Sequence, residues 1–290
     1  MKKTDRNAII LAAGTSSRFV PLSAEIPKGL LKVKGEIMIE RQIRQLKDAG
    51  IRDITVVTGY MAEKFEYLRE KMEVRLVHNE DYDRYNNISS VVRVLDNLGN
   101  TFICSSDNYF PENVFLKSRD QSFYSSLFAN GDTKEYCLEI DENDNIRGVT
   151  IGGHNAWYMI GHVFLSENFS RLFKQILNEE YLIPENRNLY WEDIYIKYID
   201  KLPKMKVQKY HDYEIKEFDT LDELREFDKT YISDTRSKIL KKIASQLQCT
   251  ESELSNFKKI PNSDNKISFS FFVREKEYVY DSSSKLIYNK

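Results

Sequence analysis

Several large functional classes are excluded by what this chain lacks. Its three cysteines, Cys104, Cys137 and Cys249, are odd in number and widely spaced in 290 residues. They suit free thiols in a reducing compartment and argue against a disulfide framework. No apolar run approaches the roughly 20 residues of a membrane-spanning helix. The N-terminus runs straight into a strand-like stretch, without the apolar core of a signal peptide. A cytoplasmic protein that does not insert in membranes is therefore expected. Net charge is only −2, so there is no general case for nucleic-acid binding, and any phosphate site must be local. The four histidines are scattered and need no catalytic role; His154 and His162 read as surface or core residues. There is no internal repeat, no low-complexity segment, no G-K-[ST] Walker loop and no G-x-G-x-x-G fingerprint.

What remains is a globular composition, 41% hydrophobic and 30% charged. The length suggests one large domain with an appendage, divided as 1–233 and 234–290. The chain opens on its most telling stretch. Ala8 to Leu11 is an apolar run that reads as a buried strand. It breaks into small residues from Ala12 to Ser17, which let backbone N–H groups approach a phosphate. Arg18 and Lys28 add fixed positive charge. The string L-A-A-G-x-x-S-R-F-x-P-L-x-x-x-x-P-K holds loop, Arg, Pro and Lys in register, the combination that a nucleoside triphosphate needs.

Strands then alternate with helices: a helix from Ile37 to Ala49 ended by Gly50, a strand Ile54–Thr58, a helix Ala62–Lys71, a strand Val74–Val77, a helix Ile88–Leu95 and a strand Thr101–Cys104. This predicts an α/β fold with a doubly wound, mixed but mostly parallel sheet. Ligands bind beyond the carboxyl ends of such strands. The Leu11–Gly14 loop, Gly59-Tyr60 and Ser105–Asp107 all fall there. From Ser122 to Leu165 strands separated by turns are expected, with a turn at Asp141–Asn145. Helices follow at Glu167–Leu177 and Leu189–Ile199, a strand at Val207–Ile215, and a helix opened by the capping box Thr220–Glu223. The last segment reads as a small α+β unit, a helix Ser237–Leu247 and a hairpin of Ile267–Val273 with Glu277–Tyr280.

Asp107 follows an apolar strand, where a carboxylate can hold Mg²⁺ against substrate phosphates. Asp219 ends a later strand and is the candidate second ligand. The N-terminal string resembles the signature of the sugar-nucleotidyltransferase-like superfamily, with its Rossmann-like fold. Together with Tyr85-Asn86-Asn87-Ile88-Ser89-Ser90, Ser106-Asp107-Asn108-Tyr109, Leu189-Tyr190-Trp191-Glu192-Asp193 and Glu217-Phe218-Asp219, it is similar to the bacterial CTP:phosphocholine cytidylyltransferases over about residues 7–232. That resemblance implies Mg²⁺-dependent transfer of CMP from CTP to a phosphorylated amino alcohol, most simply phosphocholine, with release of pyrophosphate. It implies nucleotide contacts from Leu11, Ala12 and Gly14, with Asn87 and Ser89 or Ser90 near the base and ribose; Ala13 in the same loop and Gly59 at its strand end are further nucleotide-site candidates. Lys28, Arg18 and Asp107 would be catalytic, and Asp107 and Asp219 would hold the metal.

A quaternary ammonium needs aromatic faces and a carboxylate. Tyr136, Trp157, Tyr190, Trp191, Glu192 and Asp193 are the acceptor-site candidates. Tyr136 stands where the phosphocholine enzymes carry Trp, which leaves phosphoethanolamine and 2-aminoethylphosphonate open as acceptors. Other readings are a sugar-1-phosphate nucleotidyltransferase and a non-catalytic nucleotide-binding regulator. The tail, Ile239-Leu240, Cys249–Leu254, Ile267–Phe271 and Lys276–Tyr280, resembles the opening of a choline or ethanolamine kinase. The Gly-containing turn of those kinases is replaced by Pro261–Asn265, and Asp281 stands where a basic residue is expected. Without a kinase catalytic loop, the tail is expected to be a vestige or an element for docking or homodimer formation.

Overall fold

The computed structural model describes residues 5–117, 120–261, 267–282 and 286–289. The chain forms two compact units, residues 1–14 with 38–216, and residues 15–37 with 217–290.

The first unit is built on seven strands: β1 (Arg6–Ala12), β2 (Asp53–Thr58), β3 (Arg75–His78), β4 (Asn100–Ser105), β5 (Phe123–Ile140), β6 (Ile146–Leu165) and β7 (Lys206–Lys209). Their order across the sheet is β7-β5-β6-β4-β1-β2-β3. The pairs β1/β2, β1/β4, β2/β3 and β5/β7 are parallel, while β6 is antiparallel to β4 and β5. This is the doubly wound, mixed and mostly parallel sheet that the alternating pattern predicts. Chain order reverses at β1, so the crevice at its carboxyl end is the topological switch point. Ile9 and Ile10 on β1 and Val56 and Val57 on β2 are fully buried, as strands covered on both faces must be.

The helices cover this sheet with one apolar stripe each. On α1 (Met38–Asp48), Ile39, Ile43 and Leu46 are fully buried, and Gly50 follows at φ +87°, the left-handed helix stop that glycine accommodates. The stretch 62–71 is not one helix. A 3₁₀ turn, Ala62–Phe65, precedes the short α2 (Leu68–Lys71). Phe65 and Leu68 are both fully buried, and a three-residue turn puts such a pair on one edge. Likewise α3 spans only Ile88–Val92, with a 3₁₀ turn at Leu95–Asn97. By contrast α4 runs on to Leu182 (Glu167–Leu182). Its Phe169, Phe173 and Leu177 are fully buried, each worth about 2 kcal/mol relative to exposure. Next comes α5 (Trp191–Lys197).

The Ser122–Leu165 stretch forms one long hairpin, β5–β6, with several register shifts. At its turn the Asp141 carboxylate accepts from Asn143 N, Asn145 N and Nδ2, and Arg147 Nε. These donors hold its pKa well below the usual carboxylate range. The strand expected over Val207–Ile215 ends at Lys209. The chain turns instead, with Glu214 N bonded to His211 O and the Glu214 carboxylate accepting from His211 N.

In the second unit, Thr220 accepts from Glu223 N and the Glu223 carboxylate accepts from Thr220 N, the capping box of α6 (Leu221–Phe227). The short α7 covers Thr230–Ser233. The terminal helix α8 (Lys238–Gln246) is capped by Ser237 and by Glu25, whose carboxylate accepts from Lys238 N and Ile239 N at 3.0 and 2.7 Å. Beyond it lies a four-stranded antiparallel sheet: β8 (Leu254–Lys259), β9 (Ser268–Val273), β10 (Lys276–Asp281) and β11 (Leu286–Asn289). The expected hairpin is β9–β10. Asp281 accepts from the Ser268 hydroxyl. In Pro261–Asn265, residues 262–265 lie outside the described residues.

Candidate active site

Three strand ends are brought level at the switch point. Leu11 pairs with Val57 on one side and Ser105 on the other. Beyond them the chain stays tied: Ser106 N donates to Leu11 O, and Tyr60 N to Ala13 O. Ala12 and Ala13 are buried, whereas Gly14 is exposed. A side chain at Gly14 would meet no protein atom within 4 Å, so the room over that glycine is open. Gly59 is different, because a Cβ there would lie 2.6 Å from Tyr82 Cβ and 2.9 Å from Ala13 Cβ. Packing alone thus requires glycine at 59. Asp107 is half-buried, two residues past the end of β4.

The motif Asn86–Ser90 leads into α3, with two distinct jobs. Ser89 and Ser90 are buried, and both hydroxyls accept from Asn79 Nδ2, at 2.9 and 3.0 Å. They are turned inward, fixing the start of α3. Asn87 reaches across to α5 instead. Its Oδ1 accepts from Trp191 N at 2.8 Å, and its Nδ2 donates to Glu192 Oε2 at 3.1 Å. Asn86 Nδ2 donates to Asn188 O. A residue 104 positions away therefore satisfies an otherwise orphaned N–H of the α5 first turn.

Around that first turn most acceptor-site candidates converge. Glu192 accepts from Asn87 and from the Tyr124 hydroxyl at 3.1 Å. Asp193 accepts from the Tyr136 hydroxyl at 3.0 Å and from Tyr190 N at 2.8 Å. Burial pushes the Glu192 carboxyl up to about 7, aided by the neighbouring Asp193 charge and opposed by its hydrogen bonds. The same causes, burial and the Asp193 carboxylate, raise the Tyr136 phenol. Tyr190 is 44% exposed, whereas Trp191 is 2% exposed. The indole stacks on Tyr124 and meets the edge of Phe173, so it packs the core behind the carboxylates. Trp157 lies on β6 in another setting, edge-on to Phe128 and beneath the Lys209 ammonium.

Arg18, Lys28 and Asp219 are brought together in the second unit. Asp219 Oδ2 lies 3.2 Å from Arg18 Nη1 and Oδ1 lies 3.8 Å from Lys28 Nζ. Glu217 Oε1 lies 3.9 Å from the same ammonium. Lys28 is 5% exposed, with Nζ above the Phe19 ring. Among the described residues no three or more His, Cys, Asp or Glu side chains cluster as a metal cage. Mg²⁺ takes one or two carboxylates and completes its shell with water and substrate phosphates. Asp107 and Asp219 each offer the carboxylate oxygens that such an ion takes.

The histidines stay outside this chemistry. His154 is exposed, beside Asp132. His162 is buried among Phe110, Phe115 and Phe123, and burial pushes its pKa down to about 3. The sequence alone gives no role to Tyr124 or Asn79, and it gives Glu217 only as part of the Glu217-Phe218-Asp219 motif. Glu217 sat in plain view beside Asp219. Tyr124 and Asn79 carried no local signal, because their partners come from other elements.

Residues 8–121 match the MobA-like NTP transferase domain family. A 2-aminoethylphosphonate cytidylyltransferase from Lancefieldella rimae is 34% identical over 235 residues, 80% of this chain and 95% of the relative. A choline-phosphate cytidylyltransferase from Haemophilus influenzae is 32% identical over 219 residues, 75% of this chain and 94% of the relative. The solved CTP:phosphocholine cytidylyltransferase from Streptococcus pneumoniae is 31% identical, with a TM-score of 0.74 over 78% of this chain and 98% of that one. The kinase-like reading of the tail finds no support in these likenesses. The level strand ends, the open Gly14 loop and the motif residues thus belong to a nucleotidyltransferase, and the chain is a member of the bacterial CTP-dependent cytidylyltransferase family.

Proposed function

We propose that the chain transfers CMP from CTP to a phosphorylated amino alcohol, with phosphocholine as the leading acceptor. The observation that carries this reading is the pair Glu192 and Asp193, held on the first turn of α5 by Asn87, Tyr124, Tyr136 and the Tyr190 N–H. Two adjacent carboxylates beside phenol rings attract an ammonium group, and an aromatic face receives its methyl groups. The exposed ring of Tyr190 is the face that remains available for this.

In the transfer, an acceptor phosphate oxygen attacks the α-phosphorus of CTP. The bond from that phosphorus to the bridging oxygen breaks, and pyrophosphate leaves with the electron pair. The nucleophile is already an anion, so no general base is needed. The difficulty is bringing two anions together while charge builds at the α-phosphate. Lys28 and Arg18 would stabilise that charge, and N–H groups of Leu11–Gly14 would orient the triphosphate. Asp107 and Asp219 would hold Mg²⁺, which neutralises phosphate charge when bound. Asn87 would position the α5 turn as well as the nucleotide.

A second reading, 2-aminoethylphosphonate or phosphoethanolamine as acceptor, is favoured by Tyr136. Its hydroxyl donates to Asp193, which presents a hydrogen-bonded carboxylate to a primary ammonium rather than a wide aromatic wall to a trimethylated one. Pyrophosphate release from each NTP, measured against phosphocholine, phosphoethanolamine, 2-aminoethylphosphonate and a sugar 1-phosphate, separates these readings. CTP with one of the three amine-bearing acceptors is the expected pair.

We also propose a cytoplasmic location, which the three free cysteines favour. No helix among the described residues is long and apolar enough to cross a membrane. Residues 234–290 are proposed as a docking or homodimer element that is dispensable for chemistry.

A further inference from the structure

The loop that carries Asp107 is held at both ends by one helix. On α1, Gln42 Nε2 donates to Ser105 O at 3.0 Å, just before Asp107. Gln45 Nε2 donates to Phe110 O at 3.0 Å, just after it. Arg41 Nε donates to the same carbonyl at 2.9 Å, and its Nη2 to Pro111 O at 2.5 Å. The Arg41 guanidinium also lies over the Tyr109 ring, 5.1 Å from its centroid. The clasp is returned from the loop side, where Asn113 Nδ2 donates to Gln45 O at 2.7 Å.

A helix in this position would ordinarily bury Leu or Ile. Gln42 and Gln45 are instead 1% and 7% exposed. Their Oε1 atoms have no hydrogen-bond partner among the described residues. Keeping two half-satisfied amides in a core is costly. Each amide nevertheless fixes a loop carbonyl, Ser105 O by Gln42 and Phe110 O by Gln45. With an acceptor opposite, the side-chain nitrogen must face the loop, so both glutamines donate to it.

We propose that Arg41, Gln42 and Gln45 are positioning residues that clamp the 105–111 backbone and so set where the Asp107 carboxylate stands. This rests on the role of Asp107 given under Proposed function. A carboxylate that must meet a metal and substrate phosphates tolerates little misplacement, since an error of about 1 Å can cost a hundredfold in rate.

The test uses the full chain with Gln42→Met, Gln45→Met and Arg41→Lys. Methionine keeps the length and burial of glutamine without the donor. Lysine keeps the charge of Arg41 without its forked donation. Arg41 is only half-buried, so that variant reports even where a core methionine prevents folding. Hydrogen exchange of the 105–111 segment and the Mg²⁺ dependence of turnover are both measured, with Asp107→Ala alongside. The expected result is faster exchange in that segment, about a tenfold lower kcat, a higher Mg²⁺ requirement and little change in the KM for CTP. Unchanged exchange in a folded variant overturns the clamp. Faster exchange with unchanged kcat and Mg²⁺ dependence, while Asp107→Ala is inactive, overturns its link to Asp107. Full activity in Asp107→Ala instead overturns the reading of Asp107, and exchange still decides the clamp.

Discussion

Glu192 is the residue whose environment is most directly testable. Its carboxyl is raised to about 7, so below that pH it is largely protonated and attracts an ammonium poorly. KM for the acceptor should therefore rise as pH falls through about 7, and Glu192→Gln should raise KM and flatten the profile. The linkage to stability has the opposite sense. A native carboxyl raised above its unfolded value favours folding at low pH, and that contribution is lost as pH rises from about 4.3 to about 7. The glutamine variant should lose this slope in Tm against pH. Asp107→Ala should cost several kcal/mol of transition-state stabilisation without unfolding the chain, read as kcat/KM at saturating Mg²⁺. Near-normal turnover would remove Asp107 from the chemistry. Lys28→Ala should lower kcat more than it raises the KM for CTP, because charge at the α-phosphate grows during transfer. A pure KM effect would make Lys28 a ground-state binder. The loop, Lys28, Asp107, Glu192 and Asp193 stand out as candidates in the sequence because phosphate and ammonium chemistry restricts residue type. The outward or inward turn of a side chain was not. Ser89 and Ser90 look like Asn87 in the motif, yet their hydroxyls are spent on Asn79.

At the scale of elements, what could be read was what closes locally. The α6 capping box joins residues three apart, Thr220 and Glu223, and the Asp141–Asn145 turn is closed by its own first carboxylate. Strand β8 escaped notice because its register shifts between Ser255 and Lys258, with Asn256 at φ +53°. The bulge breaks the period-2 pattern on which strand reading depends. The second cap of α8 was equally hidden, since Glu25 lies 213 residues before Lys238. Its effect can be measured: Glu25→Ala should destabilise the chain by about 1 kcal/mol, seen as a lower Tm with turnover retained. An unchanged Tm would mean that Ser237 alone suffices as the cap.

For the molecule as a whole, the alternation of strands and helices predicts the sheet and puts Leu11–Gly14, Gly59-Tyr60 and Ser105–Asp107 at the carboxyl ends of its strands. It could not predict that residues 15–37 group with 217–290, because that grouping comes from pairs far apart in sequence. Tyr231 Oη and Arg236 both donate to Lys32 O, and Lys34 N donates to Asp228. Truncation after Ser233 removes Arg236 and the N–H partners of Glu25. The truncated chain should keep its turnover chemistry while losing thermal stability, and light scattering should show whether association changes with it. Loss of activity in a folded truncation whose assembly state is unchanged would place the tail in catalysis.

The central claim is CMP transfer to a phosphorylated amino alcohol, and one comparison of rates tests it most directly. Purified full-length chain is assayed for pyrophosphate release and for the CDP-linked product with Mg²⁺. CTP is offered with phosphocholine, phosphoethanolamine or 2-aminoethylphosphonate, and UTP with a sugar 1-phosphate. The account predicts that CTP with phosphocholine or, on the second reading, with phosphoethanolamine or 2-aminoethylphosphonate gives the highest kcat/KM, and that this rate falls in Glu192→Gln. Faster turnover of UTP with a sugar 1-phosphate than of CTP with every such acceptor would contradict it.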